Sequence, residues 1–302
     1  MSAFEETRDT SMSTDPGAGL PPFVIEARGL AKTFRQGAAS RPVLHDVSLT
    51  VRRGEFICIV GAMGSGKSTL LSLLAGLVSP DAGTVTINGE PLVGIPRTVG
   101  FVFQNYSLLP WFSALENVRL AVEAARPDLP VAAQREIATR ALEQVGLGNA
   151  LQRRPRQLSG GMRQRVSIAR ALSTAPEVLL LDEPFGALDA LTRETLQGDL
   201  VRLSRAGGRE VTTVMVTNSV EEALLLADRI IPVTGSGPAT LGTSIEVPLA
   251  HPRTVAQLAH DREASEVRAH VVATLTASLG RKRQRGVTPV SMGQATLLEV
   301  RK

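Results

Sequence analysis

The 302-residue sequence has a single cysteine, only four lysines and no long apolar run. Cys58 has no partner for a disulfide bond, which suits a reducing compartment, and we expect it to pack as a small core residue. No stretch approaches the length of a membrane span, and the polar, acidic N-terminal segment does not resemble a signal peptide. We therefore expect a cytoplasmic protein that reaches a membrane only through partners.

The charge distribution gives no sign of a nucleic-acid-binding surface. The net charge is +4, and the one concentrated basic run is the stretch 281–285. Proteins that bind nucleic acids usually gather their basic residues in a patch or stripe. No nucleic-acid partner is therefore expected. The composition, 43% hydrophobic and 21% charged, is that of an ordinary globular protein with room for one large domain or two modest ones.

Strand and helix patterns alternate along the chain from residue 23 to residue 235. This alternation predicts an α/β fold with a largely parallel sheet and helices packed on it. The N-terminal part is predicted to form several short strands, among them 23–27 and 30–34. The remaining expected segments are a disordered N-terminal segment over 1–22, an inserted helical subdomain over about 105–172, a C-terminal extension over 236–280 with one amphipathic helix over 254–279, and a basic tail over 281–302.

The most informative stretch is a glycine-rich loop between a predicted strand and a predicted helix. It consists of Gly61, Ala62, Met63, Gly64, Ser65, Gly66, Lys67, Ser68 and Thr69. The spacing fits the P-loop, in which backbone N–H groups and a helix N-terminus surround a polyphosphate. We expect Lys67 to reach the β- and γ-phosphates and the Ser68 hydroxyl to ligate Mg²⁺. The scarcity of lysine weakens the alternative, a glycine-rich turn without a ligand.

A second stretch is an apolar strand, residues 178–181, that ends in two acids, Asp182 and Glu183. Paired carboxylates at the end of a buried strand need a cation or a proton to offset their charge. Beside a P-loop, Asp182 is predicted to help hold Mg²⁺ and Glu183 to polarise the attacking water. The alternative is an ordinary turn at the strand end.

A third stretch, Ser159-Gly160-Gly161, predicts another anion-binding loop. Ser159 stands at a helix N-cap position, and the two glycines expose the N–H groups of the first turn. This loop cannot hold a γ-phosphate that Lys67 already holds from the same side. A two-fold partner that presents its own loop would solve the problem. The alternative is a helix start softened by glycines.

These motifs, followed by Gly186-Ala-Leu-Asp189, resemble the nucleotide-binding subunit of an ABC transporter from about residue 24 to residue 233. The resemblance implies a P-loop NTPase of the ABC ATPase fold, with a RecA-like core, an antiparallel β subdomain and an inserted helical subdomain. ATP and Mg²⁺ would be its cofactors. Phe34 would stack on adenine, Gln104 would sense Mg²⁺ as a ligand and contact the transmembrane partner, and Asp189 would connect the two sites of a dimer.

The same resemblance implies partners and a location. These are transmembrane permease subunits, a second ATPase subunit, a periplasmic solute-binding protein acting indirectly, and the cytoplasmic face of the inner membrane. The stretches 99–111 and 185–193 are similar to the nitrate, sulfonate and taurine importer group, and the stretches 227–234, 237–242 and 251–253 are most similar to its nitrate-type ATPases. A small anion is therefore the expected solute, with a sulfonate or taurine as the alternative. Trp111 and Phe112 would lie at the permease-docking edge, or else cap the helical lobe.

One departure from this resemblance concerns catalysis. Asn218 stands where the family usually has a histidine, and an asparagine donates a hydrogen bond but carries no charge. The loss of a charge-assisted contact to the reacting phosphate costs about 1–3 kcal/mol, or roughly tenfold to a hundredfold in the rate of hydrolysis. Since Glu183 remains, Asn218 would support slow hydrolysis, or the chain would pair with a fully equipped ATPase, or it would be a regulatory subunit that only binds nucleotide.

A smaller departure is Met63, which stands where a small polar residue is usual in the family, and little effect is expected because only its backbone N–H need face the phosphate. A rival hypothesis is a soluble ABC ATPase of translation or DNA maintenance. Such proteins normally carry two cassettes or a long coiled-coil insertion, and the sequence has neither.

Overall fold

The computed structural model describes residues 22–37, 39–204, 211–235 and 237–285. The predicted disordered segment lies outside these residues except for Pro22. The basic tail lies outside them from residue 286 onward. Within the described residues, no helix is both long enough and apolar enough to cross a membrane.

An antiparallel sheet of four strands forms the first layer, in the order β2-β1-β4-β5. Its strands are β1 (Phe23–Gln36), β2 (Ala39–Arg52), β4 (Ala82–Ile87) and β5 (Glu90–Pro91). The prediction of several short strands was wrong, because β1 and β2 are each continuous over 14 residues. The register of β1 shifts between Ala27 and Leu30, where Gly29 adopts a φ of 60° and absorbs the irregularity.

The second sheet has seven strands, and its core is parallel, as the sequence predicted. The path is β10-β9-β3-β8-β7-β6, and β11 also pairs with β9. The strands β3, β6, β7, β8 and β9 run parallel, whereas β10 and β11 are antiparallel to β9. Their bounds are β3 (Phe56–Val60), β6 (Val99–Val102), β7 (Val178–Asp182), β8 (Thr212–Thr217), β9 (Arg229–Thr234), β10 (Thr240–Leu241) and β11 (Ile245–Glu246).

Helix α1 (Lys67–Leu74) lies between the two sheets, where its leucines join the side chains of both in one buried cluster. A helical lobe projects from the α/β core. It consists of α2 (Ala114–Ala125), α3 (Val131–Gln144) and α4 (Gly160–Leu172), with a short 3₁₀ turn (Pro155–Gln157) before α4. The hydroxyl of Ser113 accepts the Glu116 N–H and caps α2. Two further helices, α5 (Ala190–Ser204) and α6 (Val220–Leu226), complete the core.

The C-terminal extension contains two helices, α7 (Val255–His260) and α8 (Arg262–Arg285), so the prediction of one helix over 254–279 was wrong. The helical conformation is interrupted at Asp261. Its backbone is extended, and its carboxylate accepts the Ala264 N–H at the start of α8. An acid that caps the following helix favours a new start over continuation.

Arginine contacts attach this extension to the core. The Arg253 guanidinium donates to the carbonyl oxygens of Leu224 and Ala227 in the core at 2.7–2.8 Å, and to those of Val247 and Leu249 within the extension at 2.6–3.3 Å. Strands β10 and β11 pair with β9, and the buried Val271 places α8 against the same core. The extension is therefore an integral part of the fold.

Candidate functional site

The glycine-rich loop leads from β3 into α1 as predicted. Gly66 caps α1 with a φ of 90°, and Gly64 has a φ of 73°, both in the left-handed region that favours glycine. The loop borders a cavity of about 660 Å³. The residues that line it are Phe34, Ala39, Arg41, Val43, Met63, Gly64, Ser65, Gly66, Lys67, Ser68, Thr69, Gln104 and Glu183. Most of the predicted nucleotide-binding residues therefore meet in one place.

Lys67 lines this cavity and is almost fully buried, with 4% of its surface exposed. Its Nζ donates to the carbonyl oxygens of Gly61 at 2.9 Å and Ala62 at 3.0 Å. The same Nζ lies 3.3 Å from Oε1 of Glu183. The loop thus curls around its own lysine, and the buried ammonium is paired with the partly buried Glu183 carboxylate.

Glu183 has a left-handed backbone with a φ of 43°, a conformation that costs energy for a residue other than glycine. Its N–H donates to the Val216 carbonyl at 3.0 Å, which ties it to the end of β8. Its second carboxylate oxygen accepts a hydrogen bond from Gln104 Nε2 at 3.1 Å. The predicted water-activating acid is therefore held by two of the residues predicted to act with it.

Ser68 and Asp182 form the predicted metal-holding pair. Ser68 Oγ donates to Asp182 Oδ1 at 2.8 Å. Burial raises the pKa of Asp182, while the hydrogen bond from Ser68 partly opposes the rise. Over the part of the chain that the structure describes, no group of three or more His, Cys, Asp or Glu residues could hold a metal ion. Mg²⁺ usually binds one or two protein groups together with phosphates and waters, so the hydroxyl, the carboxylate and the nearby Gln104 fit it.

Phe34 lies at the rim of the cavity with 44% of its surface exposed, so a face of its ring is available for stacking. Its register partner on β2 is Arg41, which lines the same cavity. Met63 is 81% exposed, so its side chain points away from the protein interior. Sequence reasoning missed Arg41 and Val43, because only the pairing of β1 with β2 brings them beside Phe34.

Asn218 lies in an adjoining cavity of about 320 Å³, which the loop 61–65, Arg41 and Leu275 also line. It is exposed and follows directly after β8. The structure therefore places Asn218 beside the glycine-rich loop. It does not line the cavity that contains Gln104 and Glu183.

The second glycine loop lies apart from both cavities. Ser159 caps α4 as predicted, since its hydroxyl accepts the Met162 N–H at 3.2 Å. At Gly161 a Cβ atom would lie 2.4 Å from Thr192 Cγ2, so a side chain there would require Thr192 to move. Ser159, Gly160 and Gly161 do not line the cavity around Lys67. Within one chain the structure does not bring the two glycine loops together.

The chain is similar to known ATP-binding proteins of transporters. Residues 44–186 match the family described as ABC transporter. The chain is 48% identical to the nitrate import ATP-binding protein NrtD of Synechococcus elongatus over 79% of this chain and 86% of that protein. It is 45% identical to the bicarbonate transport ATP-binding protein CmpD of Synechocystis sp. over 76% and 80%. The dimeric structure of the ATP-binding cassette MJ0796 bound to ADP and Pi has a TM-score of 0.67 and 32% identity, and covers 75% of this chain and 100% of that one.

Proposed function

The chain belongs to the ABC transporter family, and from this premise we propose that it is the ATP-hydrolysing subunit of a nitrate-type importer of a small anion. The observation that carries the proposal is the meeting of Lys67, Gln104 and Glu183 in one cavity with the glycine-rich loop. A buried cation surrounded by loop amides binds phosphate, and a carboxylate held beside it activates water.

Each residue has a role in this reaction. The N–H groups of residues 63–69 and the Lys67 ammonium bind the phosphates, and Phe34 stacks on the adenine. Ser68, Asp182 and Gln104 would hold Mg²⁺, which would neutralise developing charge on the phosphate oxygens. Glu183 orients the attacking water and accepts its proton. Because Lys67 contacts Glu183 in the present structure, the carboxylate becomes available when the lysine turns to phosphate.

A second ATPase subunit completes the site. The Ser159 loop lies away from the cavity of its own chain, so it contacts the nucleotide of a partner chain in a two-fold pair. The solved cassette MJ0796, whose structure is dimeric, supports this arrangement. The partner is a second copy or a different, fully equipped ATPase.

The permease subunits dock on the helical lobe beside Trp111, at the cytoplasmic face of the membrane. Trp111 is 63% exposed, which favours a docking edge over an internal cap for the lobe. Its ring packs edge-on against Phe112, with 6.3 Å between the ring centroids, so the exposed surface is held in place. A periplasmic solute-binding protein supplies the anion to the permease and does not contact this chain.

The test has two stages. The purified chain should release phosphate from ATP with Mg²⁺, and Lys67→Ala should abolish the release. The chain co-purified with its permease subunits and reconstituted with the binding protein should then import nitrate more strongly than bicarbonate or taurine. If only taurine were imported, taurine would replace the small anion as the proposed solute. An absence of nucleotide binding would overturn the whole proposal.

A second candidate is a regulatory subunit with weak hydrolysis, which the neutral Asn218 favours. Nucleotide trapping separates the two functions. A stable ATP-bound dimer that releases no phosphate indicates the regulatory subunit, whereas steady phosphate release indicates the motor subunit.

A further inference from the structure

A closed set of hydrogen bonds surrounds Asn218 on both sides. Thr217 Oγ1 donates to Oε2 of the buried Glu222 at 2.6 Å and accepts the Ser219 N–H at 3.1 Å. The Ser219 hydroxyl in turn accepts the Glu222 N–H at 3.2 Å. Thr217 is thus bonded to the Glu222 carboxylate, and Ser219 is bonded to the Thr217 hydroxyl and to the Glu222 N–H, while the Asn218 side chain itself is exposed.

The same strand end also holds the glycine-rich loop and the water-activating acid. The Thr217 carbonyl accepts the Gly61 N–H at 3.3 Å, and the Val216 carbonyl accepts the Glu183 N–H at 3.0 Å. A shift of Thr217 therefore moves the start of the glycine-rich loop as well as Asn218.

The other oxygen of Glu222 faces Arg193 on α5. Arg193 Nε lies 3.9 Å from Glu222 Oε1 and has no hydrogen-bond partner within the described residues. Arg193 Nη2 donates to the Leu188 carbonyl at 2.9 Å, in the loop that carries Asp189. Burial raises the pKa of Glu222, and the Thr217 hydroxyl and Arg193 oppose this rise, so these two partners favour the charged carboxylate.

We propose that Glu222 is a positioning residue for Asn218 and that Arg193 links it to the loop 186–189. A movement of this loop then changes the orientation of the Asn218 side chain through Arg193, Glu222 and Thr217. The inference rests on the proposed function, in which the loop faces the second ATPase subunit. A neutral asparagine makes this link important, because its short-range hydrogen bond depends on direction, whereas a charge also acts at a distance.

The first test compares turnover of full-length variants. Thr217→Val keeps the shape but removes the hydroxyl, and Thr217→Ser keeps the hydroxyl. We expect Thr217→Val and Arg193→Ala to lower kcat about tenfold with the KM for ATP unchanged, and Thr217→Ser to retain wild-type kcat. The matched control is Glu221→Gln, which removes a neighbouring carboxylate on the same helix that pairs with Arg268. Its kcat should stay at the wild-type value.

The second test does not depend on turnover. Hydrogen exchange of the Ser219 amide reports whether its bond to Thr217 persists. Arg193→Ala should speed this exchange, and Glu221→Gln should not. Unchanged exchange and kcat in Arg193→Ala would overturn the inference. If the wild-type chain releases no phosphate, the proposed function fails, while the exchange data still decide whether Arg193 orders this loop.

Discussion

Replacement of Asn218 by histidine gives the most direct test of how this site works. Asn218 is exposed and borders a cavity of about 320 Å³, so an imidazole fits without displacing core side chains. The free energy of unfolding should change by no more than about 0.5 kcal/mol, as for other surface substitutions. Any change in turnover then reports on chemistry.

The expected gain follows from the kind of contact. A charge-assisted hydrogen bond to a reacting phosphate contributes about 1–3 kcal/mol more than no contact, and part of this is already supplied by the neutral amide. We therefore expect Asn218→His to raise kcat roughly tenfold, and at most a hundredfold, with little change in the KM for ATP.

The assay is steady-state phosphate release by the full-length chain across a range of pH. An imidazole titrates near pH 6.5, so the ratio of the variant's kcat to the wild-type kcat should grow as pH falls through about that value. Asn218→Gln is the matched control, since it keeps a neutral amide and should show no such trend. Equal turnover of the wild-type chain and the histidine variant at every pH would refute the reasoning.

Three further predictions concern single side chains. Glu183→Gln should lower kcat about 10²–10⁴-fold while ATP still binds, as measured by single-turnover phosphate release, and Glu177→Gln, an exposed strand-entry acid, should have no effect. Cys58 is completely buried and burial raises the pKa of its thiol, so a thiol reagent should label it only when the chain unfolds, and rapid labelling of the folded chain would contradict this. Burial raises the pKa of Glu222 above its ordinary value of 4.5, so the stability that its protonation contributes is complete below that pH and is lost as pH rises through the raised pKa. Glu222→Gln should therefore become more stable relative to wild type as pH rises above about 4.5 in urea unfolding, and a difference that stays constant with pH would count against a raised pKa of Glu222.

The parts of the site that the sequence predicted are those that depend on local pattern. A glycine-rich loop after an apolar run places Lys67 at the start of α1, and an apolar run that ends in two acids places Asp182 at the end of β7. These arrangements need only one strand, one turn and one helix. The parallel sheet followed from the alternation of strands and helices for the same reason.

The remaining parts depend on contacts between distant segments. Arg41 reaches the nucleotide cavity only because β1 and β2 pair in one register, and Glu222 reaches Thr217 only because α6 turns back on β8. The break at Asp261 was missed because a capping acid inside an amphipathic pattern looks like a surface residue of a longer helix. A local sequence pattern does not determine the strand register, the packing of α6 on β8 or the choice between one helix and two.

The contact between Lys67 and Glu183 has a consequence for how the chain distinguishes one nucleotide from another. Under the proposed function, the Glu183 carboxylate stays paired with the Lys67 ammonium until a stronger anion competes for the ammonium. A third phosphate brings that anion next to the lysine, whereas a diphosphate carries less negative charge at this position. We therefore expect the preference for ATP over ADP to begin at Lys67, where the terminal phosphate replaces Glu183 as the counter-ion of the ammonium within a single subunit.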